Sequence, residues 1–473
     1  MDDLAQPPLG RRLSGETRIG PPDVAHQHGK RHQELGGGGH RLGLHRHGPH
    51  KRRKRRAPSR RGQDGFGPPL VRRQASEWTI LSPVSDSPQN HRSGALPGFY
   101  EFFCGGGMAR AGLGDAWRCL FANDFDQRKA RAYVENWGAA ELRVADVAAL
   151  TSQDLPGRAE LAWASFPCQD LSLAGSGAGL SGARSSAFWG FHRLMQRLVD
   201  ERRAPRLIAL ENVLGLLTAN GGADFVALCR AIAELGYRVG ALTIDASHFV
   251  AQSRPRLFIV ALREDISPPP ALSAAAPSAH FAVAALQRAA SALPADLAAR
   301  WVWWRLPEPP RANRALIDCL DAAPADAPWL DAKRTQALLA QLSKASKAEL
   351  AVARASGERR VAALFRRTRP GGVQAEARFD GLAGCLRTPG GGSSRQFLLD
   401  TQGEEIRIRL IGAREAARLM GLPESYRLPA RRNEAYHLLG DGVVAPVMRF
   451  LSEHLLAPLA EAQTEREPTR RRA

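Results

Sequence analysis

At 473 residues the chain is long enough for two or three domains, and its 44% hydrophobic content suits a globular core. No run of about eighteen apolar residues occurs and the Arg- and His-rich N-terminus has no apolar signal core, which argues against a membrane span and against secretion; a cytoplasmic protein is expected. The formal charge of +19 is uneven, because residues 1–75 hold 17 Lys/Arg against 6 Asp/Glu and leave the rest only mildly basic.

The basic N-terminal stretch contains Gly36 to Gly39, seven histidines and the run Lys51-Arg52-Arg53-Lys54-Arg55-Arg56. With so little to bury it is expected to be disordered, either as a polyanion-binding or localisation segment or as a plain solvated extension. The six cysteines (Cys104, Cys119, Cys168, Cys229, Cys319 and Cys385) form no CxxC pair, so neither zinc nor a redox couple is expected and all should be thiols.

From Phe99 the pattern becomes strand, glycine turn and helix. Phe99 to Phe103 reads as a strand, Gly105 to Gly107 as a tight turn, and Ala109 to Ala116 as a helix whose N-terminal N–H groups face a docked ligand. The next strand, Arg118 to Ala122, runs into Asn123-Asp124, seventeen residues past Gly107, where an acid is placed to accept hydrogen bonds from ribose hydroxyls. Asp146 follows a third strand-like stretch, Leu142 to Ala145. These features suit an adenosine ligand, but NAD-type dehydrogenases share them, and Asp124 and Asp146 can equally be helix caps.

Leu161 to Ala164 is a short apolar strand that ends at Ser165-Phe166-Pro167-Cys168-Gln169. A cysteine at a strand's carboxyl edge is either a nucleophile or a buried structural thiol. Gly175 to Gly182 is too rich in Gly and Ser to be scaffold. Phe188, Phe191, Leu194, Met195 and Leu198 mark an amphipathic helix, and Leu207 to Leu210 a buried strand ending in Glu211-Asn212-Val213. A carboxyl there can have a raised pKa and donate a proton, or it can cap a turn. Gln252-Ser253-Arg254-Pro255-Arg256 precedes a further apolar strand, Leu257 to Leu262.

Beyond it the character changes. Residues 267–300 are rich in Pro and Ala, Trp301-Val302-Trp303-Trp304 follows, and Ala332 to Leu364 reads as helical. The basic residues between Arg359 and Arg369 suit phosphate contacts. A second glycine-rich loop spans Arg387 to Gln396, a helix with a Gly-Pro stop spans Arg409 to Pro423, and Tyr436 to Phe450 contains Gly440-Asp441-Gly442-Val443.

In this order, Phe103-x-Gly105-x-Gly107, Pro167-Cys168-Gln169, Glu211-Asn212-Val213 and Gln252-x-Arg254-x-Arg256 resemble the motifs of the DNA (cytosine-5) methyltransferases. The resemblance runs from about Phe99 to about Leu455 and is weakest between Arg263 and Arg378. It implies an α/β fold: a Rossmann-like class I methyltransferase sheet with helices on both faces, plus a smaller inserted target-recognition domain. The expected division is a disordered tail over 1–95, a catalytic and cofactor-binding domain over 96–265, a recognition domain over 266–405, C-terminal motifs over 406–460 that return to the catalytic domain, and a polar tail over 461–473.

The resemblance further implies S-adenosyl-L-methionine as cofactor, held by Phe103, Gly105, Gly107 and Pro167, with Asp124 on the ribose, Phe125 on the adenine ring and Asp146 on its amine. Cys168 would be the nucleophile toward C6 of a flipped cytosine and Glu211 would meet N3. Arg256 would contact O2, and Arg254 would hold the loop that bears Cys168. Residues 175–182 would close over double-stranded DNA, which Gln169, Ser172, Arg387, Thr388 and Arg395 would contact. The usual last motif is Gly-Asn-Ser-Val, so Asp441 and Gly442 depart from it. A monomer in the nucleoid of a bacterium is expected, with a separate restriction endonuclease as a possible companion. The rivals are the tRNA-methylating branch, whose Cys-Phe-Thr is absent here, and a DNA-binding repressor on a decayed scaffold.

Overall fold

The structure, a computed structural model, describes residues 96–167, 186–312, 314–369, 372–388 and 395–462. The expected N-terminal tail and the last eleven residues therefore lie outside it.

Short, near-continuous apolar runs build a nine-stranded sheet from β1 (Gly98–Phe102), β2 (Arg118–Asp124), β3 (Leu142–Val144), β4 (Leu161–Ala164), β5 (Leu207–Asn212), β6 (Tyr237–Asp245), β7 (Pro255–Arg263), β8 (Ser273–Ala274) and β9 (Trp301–Trp304). Their order is β3-β2-β1-β4-β5-β7-β6-β9-β8. The first five run parallel, and β7 is inserted antiparallel between β5 and β6. On one face lie α1 (Met108–Leu113) and α2 (Gln127–Trp137); on the other lie α3 (Ser186–Asp200), α4 (Ala223–Glu234), α5 (Ala284–Ser291) and α6 (Ala295–Ala298). The period-two alternation sorts the strand residues accordingly: Leu161 and Trp163 pack toward α1, Ala162 and Ala164 toward α3.

Residues 266–304, expected in the recognition domain, instead extend this sheet, because β9 pairs with β6 at Val239 and Gly240. Trp304 is buried there, and its indole N–H donates to the Val260 carbonyl at 3.1 Å. The smaller domain contains α7 (Ala332–Ala340), α8 (Lys344–Ala355), and a four-stranded antiparallel sheet of β10 (Arg359–Arg369), β11 (Gly372–Arg378), β12 (Phe397–Gln402) and β13 (Glu405–Leu410), in the order β11-β10-β12-β13. The expected helix up to Leu364 thus ends early. Gly357, at φ 68°, turns the chain out of α8, and Val361 to Leu364 are buried on both faces of β10, so their unbroken apolar run does not betray a strand by alternation.

The chain returns through α9 (Ala413–Leu419), α10 (Arg432–Asp441), α11 (Ala445–Leu451) and α12 (Ala457–Glu461). Arg432–Glu461 is long and apolar enough to match a membrane span by composition, but most of it is buried within the protein, with α11 packed on α1.

Three buried ionisable groups matter for this core. Arg409 and Glu415 are both almost fully buried and pair in two hydrogen bonds of 2.7 Å; Glu415 also accepts the Asp321 and Gly412 N–H groups at 2.8 and 2.6 Å. Removing one partner of such a pair strands the other, so Glu415→Ala should lose about 3–5 kcal/mol in urea unfolding. Glu101, in the middle of β1, is 1% exposed, and burial pushes its carboxyl from 4.5 up to about 8, opposed by the Arg110 and Ala109 N–H groups. The folded state therefore keeps a proton that the unfolded chain releases. The associated stability is complete below pH 4.5 and is lost as pH rises through about 8, with a slope of up to about 1.4 kcal/mol per pH unit. Glu101→Gln should flatten that slope in urea unfolding between about pH 5 and 8; an unchanged slope would mean Glu101 is already ionised when folded.

Candidate active site

All of the candidate residues that the structure describes in the large domain sit at one edge of its sheet. Parallel β1 to β5 send their carboxyl ends there, and the antiparallel β7 begins there, pairing Asn212 with Leu257. Strand order reverses between β1 and β4, and a crevice at such a point is where open α/β sheets take ligands.

At the β1 end, Phe103, Gly105 and Gly107 have φ of 56°, 55° and 74°. For Phe103 this left-handed backbone is strained and costs energy that the surrounding bonds must offset. A Cβ on Gly107 would also stand 2.3 Å from Trp137 Nε1. The turn is held from several sides: Gly105 N–H donates to Asp124 Oδ2 at 2.9 Å, and the Gly106 carbonyl accepts from Trp137 Nε1 at 2.9 Å and from the Tyr426 hydroxyl at 2.8 Å. Asp124 is buried and also accepts the Asp126 N–H at 2.8 Å; burial raises its carboxyl while Lys129 opposes the rise. It is not the cap of α2, a role that Asp126 takes by accepting from Arg128 N–H and Lys129 N–H. Beside it the Phe125 ring is 69% exposed and so open to a stacked partner. Asp146 is exposed and does cap a short turn, accepting from Ala148 N–H at 2.8 Å. A strained glycine turn, a buried acid and a bare ring fit an adenosine-bearing cofactor.

Next to this crevice, Glu211 at the end of β5 is 5% exposed. Its Oε1 lies 2.9 Å from Arg256 Nε, and its Oε2 accepts a short hydrogen bond from the Ser165 hydroxyl. The resemblance assigned Arg256 to a base; here the guanidinium also orients the carboxylate. Asn212 donates from Nδ2 to the Phe166 carbonyl at 3.2 Å and so positions backbone. Pro167, exposed, is the last described residue before the expected nucleophile. Cys168, Gln169, Ser172 and the loop 175–182 lie outside the described residues. Among the described cysteines, burial pushes the Cys104 thiol well above its usual range, Cys119 and Cys229 up to about 12 and Cys319 up to about 11, so all four stay neutral and unreactive.

Among the described residues Arg254 has partners that the resemblance did not name. Its guanidinium, 2% exposed, donates to the carbonyls of Leu386, Gly440 and Gly442, each at 2.8 Å, and reaches Cys385 Sγ at 3.3 Å. These partners belong to the second glycine-rich segment and the end of α10. Gln252 was quoted from the sequence without a role; fully buried, it accepts Leu386 N–H at 2.9 Å and donates to the Leu419 carbonyl at 2.7 Å. Ser165 and Gln396 were not singled out. Gln396 clasps Gly384 through its N–H and its carbonyl, both at 2.8 Å; polarity in an otherwise apolar strand start was the only signal. Of the proposed DNA contacts, Arg387 is exposed, Thr388 is half-buried, and Arg395 donates to Asn433 Oδ1 at 2.7 Å on α10. Arg359, expected on phosphate, pairs with Asp400 at 3.0 Å.

The family description "C-5 cytosine-specific DNA methylase" matches residues 98–457. Type II methyltransferase M.NlaX of Neisseria lactamica is 25% identical over 76% of this chain and 96% of its own length, and M.HhaI of Haemophilus parahaemolyticus is 22% identical over 76% and 93%. M.BsuFI of Bacillus subtilis is 31% identical over a shorter stretch, 36% of this chain and 40% of that relative. Among solved structures, a Spodoptera frugiperda DNMT2 variant (16% identity) and the Entamoeba histolytica methyltransferase EhMeth (13% identity) share the fold, each at a TM-score of 0.50 over 77% of this chain and 99% of theirs. The chain belongs to the C-5 cytosine-specific DNA methylases, a family of S-adenosylmethionine-dependent enzymes.

Proposed function

We propose that this chain transfers a methyl group to C5 of a cytosine flipped out of duplex DNA, through a covalent bond between Cys168 and C6. The observation that carries this reading is the Ser165–Glu211–Arg256 cluster at the sheet edge from which Pro167 leads into Cys168. C5 of cytosine is a poor nucleophile until C6 is attacked, and C6 inside the base stack is shielded, so the base must leave the helix.

Each residue then has a task. The Cys168 thiolate adds to C6 as N3 takes a proton from the Glu211 carboxyl, and charge that develops at O2 is met by Arg256, whose guanidinium lies 2.9 Å from Glu211. Ser165 fixes the second carboxylate oxygen, so Glu211 has one orientation toward the base. C5 becomes an enamine carbon and would take the methyl as the carbon–sulfur bond of the sulfonium breaks to leave a neutral thioether; loss of the C5 proton to a solvent base, elimination of the thiolate and return of the N3 proton to Glu211 then restore the aromatic ring and the free enzyme. When bound, S-adenosylmethionine supplies the electrophilic methyl. Phe103, Gly105, Gly107, Asp124, Phe125, Asp146 and Pro167 would hold it at the β1–β4 crevice. Gln169, Ser172, Arg387, Thr388 and Arg395 would meet DNA, the glycine-rich residues 175–182 would close over it, and the smaller domain would read its sequence. The protein would work as a monomer, with any restriction endonuclease acting separately.

Incubation with unmethylated plasmid and S-adenosylmethionine, followed by bisulfite sequencing, should protect cytosines in one recurrent context. Cys168→Ser should abolish that protection and keep DNA binding in a gel-shift assay; surviving turnover would sink the covalent mechanism. Arg254→Lys keeps the charge but not the planar fork that bonds three carbonyls at once. It should lower methylation about tenfold or more, since misplacement by a fraction of an ångström is costly in a catalytic site, with the loss read in single-turnover assays at saturating cofactor.

A further inference from the structure

The departure of the last motif from Gly-Asn-Ser-Val has a physical explanation at both positions. Gly442 has φ −77° and ψ 161°, a backbone that any residue adopts, so its need for glycine is steric. A Cβ there would stand 1.4 Å from Met108 Cε, at the start of α1. Met108 thus occupies the space a serine side chain would take. Asp441 is paired instead with Lys129, whose Nζ lies 2.6 Å from Asp441 Oδ2.

Lys129 stands in the first turn of α2, beside the acid that holds the glycine turn. Asp126 gives its N–H to Asp124 Oδ1 at 2.8 Å and accepts the Lys129 N–H at 3.4 Å. Three carboxylates, Asp124, Asp126 and Asp441, therefore surround this helix start. Arg128 answers Asp126 at 2.9 Å, and Lys129 answers the other two. Burial pulls the Lys129 ammonium down, but Asp441 and Asp124 outweigh it and keep it above its usual value. A partly exposed pair such as Lys129–Asp441 is worth little alone. Its weight comes from Asp124, which is buried and cannot rely on water to spread its charge.

We propose that Lys129 is a cofactor-positioning residue, neutralising Asp124 and Asp441 together and so holding the end of α10 beside the pocket for S-adenosylmethionine. The proposal rests on the reading of that crevice as the cofactor pocket. An asparagine at position 441 would make no such demand for a cation; the aspartate does, and this chain meets it from α2.

The test is a double-mutant cycle read by titration calorimetry with S-adenosylmethionine and, separately, S-adenosylhomocysteine, together with melting of each ligand-free variant. Lys129→Met leaves two carboxylates without their counter-ion and should weaken both ligands about tenfold or more, whereas Asp441→Asn, which leaves Lys129 to Asp124, should cost about threefold or less. The double variant should recover only the part of the Lys129→Met loss that comes from Asp441, because Asp124 still lacks its counter-ion. Wild-type affinity in Lys129→Met, or losses that simply add in the double variant, would overturn the proposal and leave a structural ion pair seen only in melting. A wild-type chain that binds neither ligand would instead overturn the cofactor reading on which it rests.

Discussion

One buried guanidinium ties together segments that the chain separates by almost two hundred residues. Arg254, at the turn between β6 and β7, bonds the carbonyls of Leu386, Gly440 and Gly442. Burying that charge is costly, and burial together with the nearby Arg256 charge pulls its guanidinium below its usual value. Three charge-assisted bonds to fixed carbonyls offset the cost, and a planar fork makes them only in one orientation. The end of α10, the segment entering the second glycine-rich loop and the start of β7 are thereby set relative to one another. Gln252, two residues earlier, adds bonds to Leu386 N–H and the Leu419 carbonyl, so the same turn also grips the end of α9.

From that fixed point the two halves of the site extend in opposite directions. Toward the cofactor side the links are Asp441 to Lys129, then Asp126 to Asp124, then Gly105. Toward the recognition side they are Leu386, the exposed Arg387 and the Gln396 clasp on Gly384. Between them lies Arg256, two residues from Arg254, with Glu211. The antiparallel insertion of β7 is what permits this. A parallel strand in its place would carry its first residues to the opposite edge of the sheet, and the guanidinium of Arg256 could not meet a carboxylate at the carboxyl end of β5.

Much of this was legible in the sequence because local rules and tertiary demands agree over Phe99 to Arg263. Short apolar strands with functional residues at their carboxyl ends and glycines where φ turns positive point to the same sheet. The rest was not, for identifiable reasons. Residues 267–300 are rich in Pro and Ala and were expected in the recognition domain, yet tertiary pairing with β6 makes Trp301–Trp304 a strand. Arg359 to Leu364 has helical propensity on paper, and only its two partners β11 and β12 make it a strand. The partners of Arg254 lie 132 and 186 residues away, and no spacing rule connects them. The pairing of Glu211 with Arg256 follows from strand register, which a motif written along one line does not show.

The same contacts bear on whether the chain is a working enzyme or a scaffold that has lost its chemistry. Its two departures from the usual last motif are each matched elsewhere: Met108 fills the volume at Gly442, and Lys129 balances the charge at Asp441. A volume change without a partner would leave a cavity beside the glycine turn, and a charge change without a partner would leave a carboxylate without its counter-ion. Neither fault is present. Glu211 and Arg256, which a mere DNA-binding scaffold would not need, are held in a charged cluster whose desolvation is costly unless the charges serve a purpose. A site that keeps such a cluster closed by Ser165, and repairs its own departures through α1 and α2, is organised for turnover.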